Sequence, residues 1–124
     1  MKEVKNALFT QKYTKIYCED DSQQKFNAPH HFTVKAIDPI TLEADKVVGE
    51  INFQEGPIKE FGINGVANED LLLMILTRLK SFENNGWSCK ENQMAIDKIE
   101  EAVMWLRKRT LEREARNVEG TSVK

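Results

Sequence analysis

The sequence predicts an α+β fold: a small N-terminal antiparallel β-sheet followed by a two-helix antiparallel hairpin. Three observations predict it. Apolar and polar residues alternate in two segments of the first half. From Asn68 onward the apolar period lengthens to that of a helix. A short stretch containing Gly86 then separates two long helical segments, so that they must fold back on each other.

The elements follow in order. "KYTKIYCED" reads as an edge strand alternating through Tyr13, Lys15 and Tyr17, and "QQKFNAPHH" as a loop. From His31, "HFTVKAID" places Phe32, Val34 and Ala36 on one face of a half-buried strand, which Asp38-Pro39 ends. In "KVVGEINFQ", Val47, Gly49, Ile51 and Phe53 share one face, and "EGP" closes the strand. "IKEFGI" is expected as a third strand ahead of an Asn64-Gly65 turn. Asn68 is the expected N-cap of the first helix, with Glu69 and Asp70 suited to its dipole. Leu72, Ile75, Leu76, Leu79 and Phe82 form its stripe; Leu71 lies at the edge, and Leu73 and Met74 fall outside. Gly86 in "ENNGW" ends it, and Ser88-Cys89-Lys90-Glu91 has the S-x-x-E pattern of a capping box. The second helix is expected over about Cys89–Arg116, with Ala95, Ile96, Ile99, Ala102, Val103 and Leu106 inward. A single domain over 1–124 is expected, β-rich to about residue 66, hairpin over 67–117 and a tail at 118–124.

The chain has 18 basic and 20 acidic residues and a net charge of −2, which argues against a nucleic-acid polymer as partner. Cys18 and Cys89 form no C-x-x-C pair and read as reduced thiols. The N-terminus lacks the apolar run of a signal peptide and no segment approaches membrane-spanning length, so a cytoplasmic protein is expected.

Against that acidic background, "MWLRKRTLERE" (104–114) is locally basic. Arg107 and Lys108 lie away from the apolar stripe and read as solvated. Arg109, Arg113 and Arg116 follow i, i+4, i+7 spacing, so their guanidinium groups reach one patch. Glu112 is at helical spacing from Lys108, Arg109 and Arg116, whereas Arg113 has no acidic helical neighbour. Each like-charge pair costs about 0.2–0.5 kcal/mol. The compensating charge is therefore either a tertiary carboxylate or an anionic ligand. Phe82, at the last turn of the first helix, is either core or a stacking surface. Asn92, on the apolar side near the start of the second helix, either caps its own turn or reads a base edge or sugar hydroxyl.

Asn92 and Arg109 stand seventeen positions apart, about 25 Å along a helix. One small ligand cannot touch both ends of one hairpin. Two hairpins packed antiparallel would set the turn of one against the open end of the other and create two equivalent sites. They would also cover the surplus apolar surface of the first helix. A homodimer is expected on that ground.

The segments "HHFTV", "GEINFQEGPIKEFGINGVANEDLL", "FENNGWSCKENQ" and "IEEAVMWLRKRTLEREARNVEGT" together resemble the phage Thoeris anti-defence proteins of the first type. The hairpin is also similar to that of the phage anti-CBASS cyclic-nucleotide sponges. The likeness runs from about His30 to Thr121. It implies sequestration, without cleavage, of a cyclic ADP-ribose isomer (glycocyclic ADP-ribose) made by bacterial TIR-domain enzymes, in the cytoplasm of the infected host. It also implies a homodimer or higher homo-oligomer, no cofactor, and Phe82, Asn92, Arg109 and Arg113 as ligand-binding residues, with Arg116 an additional candidate. Cyclic di- or trinucleotides are the alternative ligands, and a protein-interaction module is a further alternative. Catalysis is disfavoured: adjacent His30 and His31 point to opposite faces of a strand, and Glu100 and Glu101 diverge on a helix.

Overall fold

The computed structural model describes residues 1–124 and contains two compact units, Met1–Gly65 and Val66–Lys124. The first holds a four-stranded antiparallel sheet in the order β1-β2-β3-β4, and the second a two-helix hairpin, so the chain is of the α+β class.

In the first unit the strands are β1 (Lys2–Val4), β2 (Thr14–Cys18), β3 (His31–Ile37) and β4 (Ala44–Asn52). Ile16 stands opposite Val34, which stands opposite Gly49; Cys18 stands opposite Phe32, which stands opposite Ile51. These pairs make the apolar face, on which Cys18 is 2% exposed and Phe32 meets Phe53 edge-on at 5.5 Å. The strand 14–18 is therefore interior, not an edge, and its inward residues are Ile16 and Cys18 rather than Tyr13, Lys15 and Tyr17. Lys15 lies on the opposite face, 3.3 Å from Glu3, and Tyr17 lies beneath the Lys35 ammonium. The edge is β1, too short and polar to announce itself.

Val47 departs from its expected face. The register passes from Val34↔Gly49 to Lys35↔Val47, leaving Val48 unopposed. This bulge turns Val47 over to the Lys35 side, where it is 46% exposed. "IKEFGI" forms no strand: Ile58–Phe61 is a helical turn, α1, entered from Pro57 and left through Gly62 at φ 73°. The polar groups that a strand partner would have satisfied are met by side chains. Asn64 exchanges two hydrogen bonds with the Glu55 main chain at 2.7 and 2.8 Å, and Gln54 Nε2 donates to the Gly62 carbonyl at 2.8 Å. Gly65 is required by close approach, since a Cβ there would lie 2.5 Å from the Phe53 carbonyl.

In the second unit, α2 spans Asn68–Asn84 and α3 spans Lys90–Ala115. The cap of α2 is Ala67, one residue before the expected Asn68. The Asp70 carboxylate accepts from the Ala67 N–H at 2.8 Å, which supplies one arm of a capping box. The cap of α3 is Cys89, not Ser88; its Sγ accepts from the Asn92 N–H at 3.4 Å. The Ser88 hydroxyl instead donates to Glu83. Leu76 and Ile96 form the centre of the hairpin at 9% and 3% exposure, flanked by half-buried Leu72, Leu79, Ile99, Val103 and Leu106. Ile75, expected inward, is 46% exposed. A two-helix hairpin can bury only the seam between its helices, and the wide apolar surface of α2 exceeds it.

Candidate ligand site on the hairpin

At the open end of the hairpin, the last two turns of α3 bring Arg109, Arg113 and Arg116 to one side. With Glu112, Ala115 and Lys124 they line an open groove of about 580 Å³, within the roughly 300–1,000 Å³ typical of small-molecule sites. No Asp or Glu side chain forms an ion pair with the three arginines. Glu112 lies 3.7 Å from Lys108, which takes the one acid that helical spacing offered. Arg113 donates through Nη2 to the main-chain carbonyls of Val118 (3.0 Å) and Thr121 (3.1 Å). Arg116 donates to the main-chain oxygen of Lys124 at 2.6 Å. Arg109 is exposed and has neither hydrogen bond nor ion pair within the chain.

The backbone explains why the tail reaches these groups. Asn117 takes the left-handed conformation, φ 58°, and the Val118 N–H returns to the Arg113 carbonyl at 3.0 Å. This six-to-one bond ends α3 and turns the chain back along its own last turn. The Arg113 guanidinium then meets carbonyl dipoles where an ion pair would have placed a full negative charge.

Phe82 and Asn92 lie at the opposite end. Phe82 is 36% exposed, and the Arg78 guanidinium sits over its ring at 5.0 Å, one helical turn back. Its carbonyl accepts from the Trp87 N–H at 3.0 Å, which closes the turn with Gly86 at φ 89°. Asn92 donates through Nδ2 to the Trp87 carbonyl at 3.4 Å. Glu83 binds the same turn: its two oxygens accept from the Ser88 hydroxyl (2.8 Å) and the Cys89 N–H (3.1 Å). These bonds, with Ser88 contributing most and Asn92 adding a smaller part, hold its carboxyl below the usual range.

The chain thus brings the arginines together in one cluster and Phe82 with Asn92 in another, at opposite ends of one hairpin. Arg78 and Glu83 were not among the expected site residues. Their signal was present as the i−4 and i+1 neighbours of Phe82, yet any helix surface offers such neighbours. His30 and His31 serve separate partners: His30 Nε2 lies 2.6 Å from the Lys25 carbonyl, and His31 lies between Asn52 and Glu55. A depression of about 340 Å³ in the first unit, beside Leu8, Phe9 and Gln11, has a single cation, Lys12.

These features define an α+β protein built on a helical hairpin with an arginine cluster at its open end, and that hairpin is of a described class. Residues 45–111 match the Acb2/Tad1 hairpin domain, a range that contains Phe82, Asn92 and Arg109 and stops short of Arg113 and Arg116. The chain belongs to the Thoeris anti-defence 1 family. It is 45% identical to Thoeris anti-defense 1 of Bacillus phage SBSphiJ7 over 142 aligned positions, which cover the whole of both chains.

Proposed function

We propose that the protein is a phage anti-defence sponge that captures the glycocyclic ADP-ribose signal made by TIR-domain enzymes, without cleaving it, in the cytoplasm of the infected bacterium. The observation that carries this reading is the state of Arg109 and Arg113. The first has no hydrogen-bond or ion-pair partner, and Arg113 reaches only the main-chain carbonyls of Val118 and Thr121. A pyrophosphate offers such groups charge-assisted, two-pronged hydrogen bonds that carbonyls do not match. The groove is exposed to water, so a diphosphate can exchange places with solvent and with the tail.

The base needs a flat partner. Phe82 offers one ring face, since Arg78 covers the other. A site with both parts requires the turn of one hairpin beside the open end of another. We therefore assign the working form as a homodimer with two equivalent sites, each combining Arg109 and Arg113 of one chain with Phe82 and Asn92 of its partner. Leu73, Met74 and Trp105, at 48%, 62% and 57% exposure, are the kind of apolar surface such pairing covers. No helix of the chain is long and apolar enough to cross a membrane.

The test is calorimetry with glycocyclic ADP-ribose, followed by denaturation and analysis of the released ligand. Capture with release of intact ligand is expected; a cleaved product would make the protein a hydrolase. Cyclic di- and trinucleotides belong in the same titration, because the arginines suit any phosphodiester. Capture of cyclic oligonucleotides alone would replace the ligand assigned here.

A further inference from the structure

We propose that the hairpin turn modifies itself: the main-chain nitrogen of Gly86 attacks the side-chain amide of Asn85, expels ammonia, and leaves an aspartate or isoaspartate that disables the Phe82–Asn92 end. The loss of capture rests on the ligand reading above; the chemistry does not.

The step needs a free glycine nitrogen, an amide carbon able to reach it, and water. The Asn85 Cγ–Nδ2 bond breaks as the Gly86 N–Cγ bond forms. The glycine nitrogen gives up its proton to hydroxide, and the departing nitrogen takes one from water and leaves as ammonia. Water then opens the cyclic imide. Opening at Cγ gives aspartate; opening at the Asn85 main-chain carbonyl gives isoaspartate.

Asn-Gly occurs twice in the chain, and every other asparagine precedes a residue whose Cβ crowds that approach. The structure separates the two steps. Asn64 exchanges two hydrogen bonds with the Glu55 main chain, and its own N–H donates to Gln54 Oε1 at 3.0 Å. Gly65 is half-buried against the Phe53 carbonyl, with no room to turn. Asn85 lies just beyond the last residue of α2 at φ −120° and ψ 33°, and residues 84–89 are all exposed. One side-chain bond holds it, from Nδ2 to the Ser81 carbonyl at 2.7 Å. The Gly86 N–H makes no hydrogen bond; the turn is closed by the N–H groups of Asn85 and Trp87, which both donate to the Phe82 carbonyl. Gly86 itself has open space around it. The reacting pair is therefore free to rotate at Asn85 and locked at Asn64.

The product damages the turn in two ways. An isoaspartate routes the main chain through side-chain carbons and adds a methylene between positions 85 and 86. The bond from the Trp87 N–H to the Phe82 carbonyl, 3.0 Å, spans that insertion and is lost, and Trp87 is the residue whose carbonyl Asn92 binds at 3.4 Å. Either product also sets a carboxylate against the Ser81 carbonyl, where an amide had donated, and a negative charge at this turn opposes a diphosphate.

The test is peptide mapping by mass spectrometry of the whole protein, fresh and after incubation at mildly alkaline pH, with isoaspartate counted by isoaspartyl methyltransferase. Conversion at Asn85 is expected to outrun that at Asn64 by at least about tenfold. In urea the two steps are expected to convert within about twofold of each other, because only the fold tells them apart. The aged wild type is expected to lose capture of glycocyclic ADP-ribose in proportion to its modified fraction. Aged Asn85→Gln, whose longer side chain disfavours the ring, should keep the capacity of the fresh variant. If that variant does not fold, modified and unmodified wild type, separated by ion exchange, give the same comparison. A folded protein that converts Asn64 as fast as Asn85, or converts neither, overturns the inference with no variant required. So does a preference that persists in urea, which assigns it to sequence and not to the turn. Modified protein that captures ligand as well as fresh protein overturns the damage assigned to the product. Fresh wild type that binds no ligand overturns the capture reading instead, and the mapping result stands on its own.

Discussion

Arg109 and Arg113 are one helical turn apart, yet the fold asks different things of them. Arg109 makes no hydrogen bond or ion pair, so Arg109→Ala should abolish capture of glycocyclic ADP-ribose in calorimetry and leave the melting temperature within about 2 °C. Arg113 also holds the tail through Val118 and Thr121, so Arg113→Ala should abolish capture and speed amide hydrogen exchange across 118–124. Equal exchange in the two variants would show that the tail does not depend on that guanidinium. His31 provides a pH effect in the sheet. Its Nδ1 lies 2.8 Å from Asn52 Oδ1 and its Nε2 lies 3.2 Å from Glu55, two acceptors that only the imidazolium can serve with both nitrogens. The Asn52 bond, reinforced by Glu55 against desolvation, raises its pKa above the ordinary value of 6.5. A group whose pKa is raised by folding binds its proton more tightly in the native state. Its contribution is complete below about pH 6.5 and disappears as pH rises through the higher native value. Urea unfolding at successive pH values should show this loss, and His31→Gln should remove the dependence.

At the scale of elements, the cap of α3 is weaker than it needs to be. Thiol sulfur at 3.4 Å is a poor acceptor, and serine is among the preferred N-caps. Cys89→Ser should raise stability by about 0.5 kcal/mol in chemical denaturation without changing capture. The displaced cap shows where the sequence was legible and where it was not. The S-x-x-E pattern correctly signalled a helix start, but Ser88 is drawn away by Glu83, a residue of the preceding helix. The seam of the hairpin was legible because Leu76, Ile96 and their neighbours recur at a helical period. Ile75 was not, because periodicity tells which residues share a face and not how much of it one neighbour covers. In the sheet, Phe32 and Val34 were legible from alternation, whereas the bulge at Val48 reversed Val47 without any mark in the local pattern. Ile58–Phe61 failed for a related reason: four residues cannot distinguish a strand from a turn of helix, and the deciding bonds come from Gln54 and Asn64. At the arginine cluster, spacing showed that three guanidinium groups converge. That carbonyls of the tail occupy Arg113 depends on the left-handed Asn117, a backbone angle no side-chain pattern states.

For the whole molecule, the separation of the two clusters constrains how the proposed site can be assembled. About 25 Å of continuous helix lies between Asn92 and Arg109, and no motion of one hairpin removes it. If the ligand needs both clusters, each site must be shared between two chains, and that makes an unusual prediction. Arg109→Ala and Phe82→Ala should each be inactive alone as homodimers, since both of their sites carry the defect. When the two variants are mixed and allowed to exchange subunits, a mixed dimer concentrates both defects in one site and leaves the other with native Arg109 and native Phe82. Random exchange makes half of the dimers mixed, so about one quarter of the wild-type binding capacity should return. The measurement is calorimetric stoichiometry before and after mixing, with the dimer followed by light scattering. Trp105→Glu, which buries a charge if this face is the interface, should yield a helical monomer that neither captures ligand nor complements. A site confined to one chain would give no recovery on mixing, whatever the oligomeric state, because every chain in the mixture carries a defect of its own.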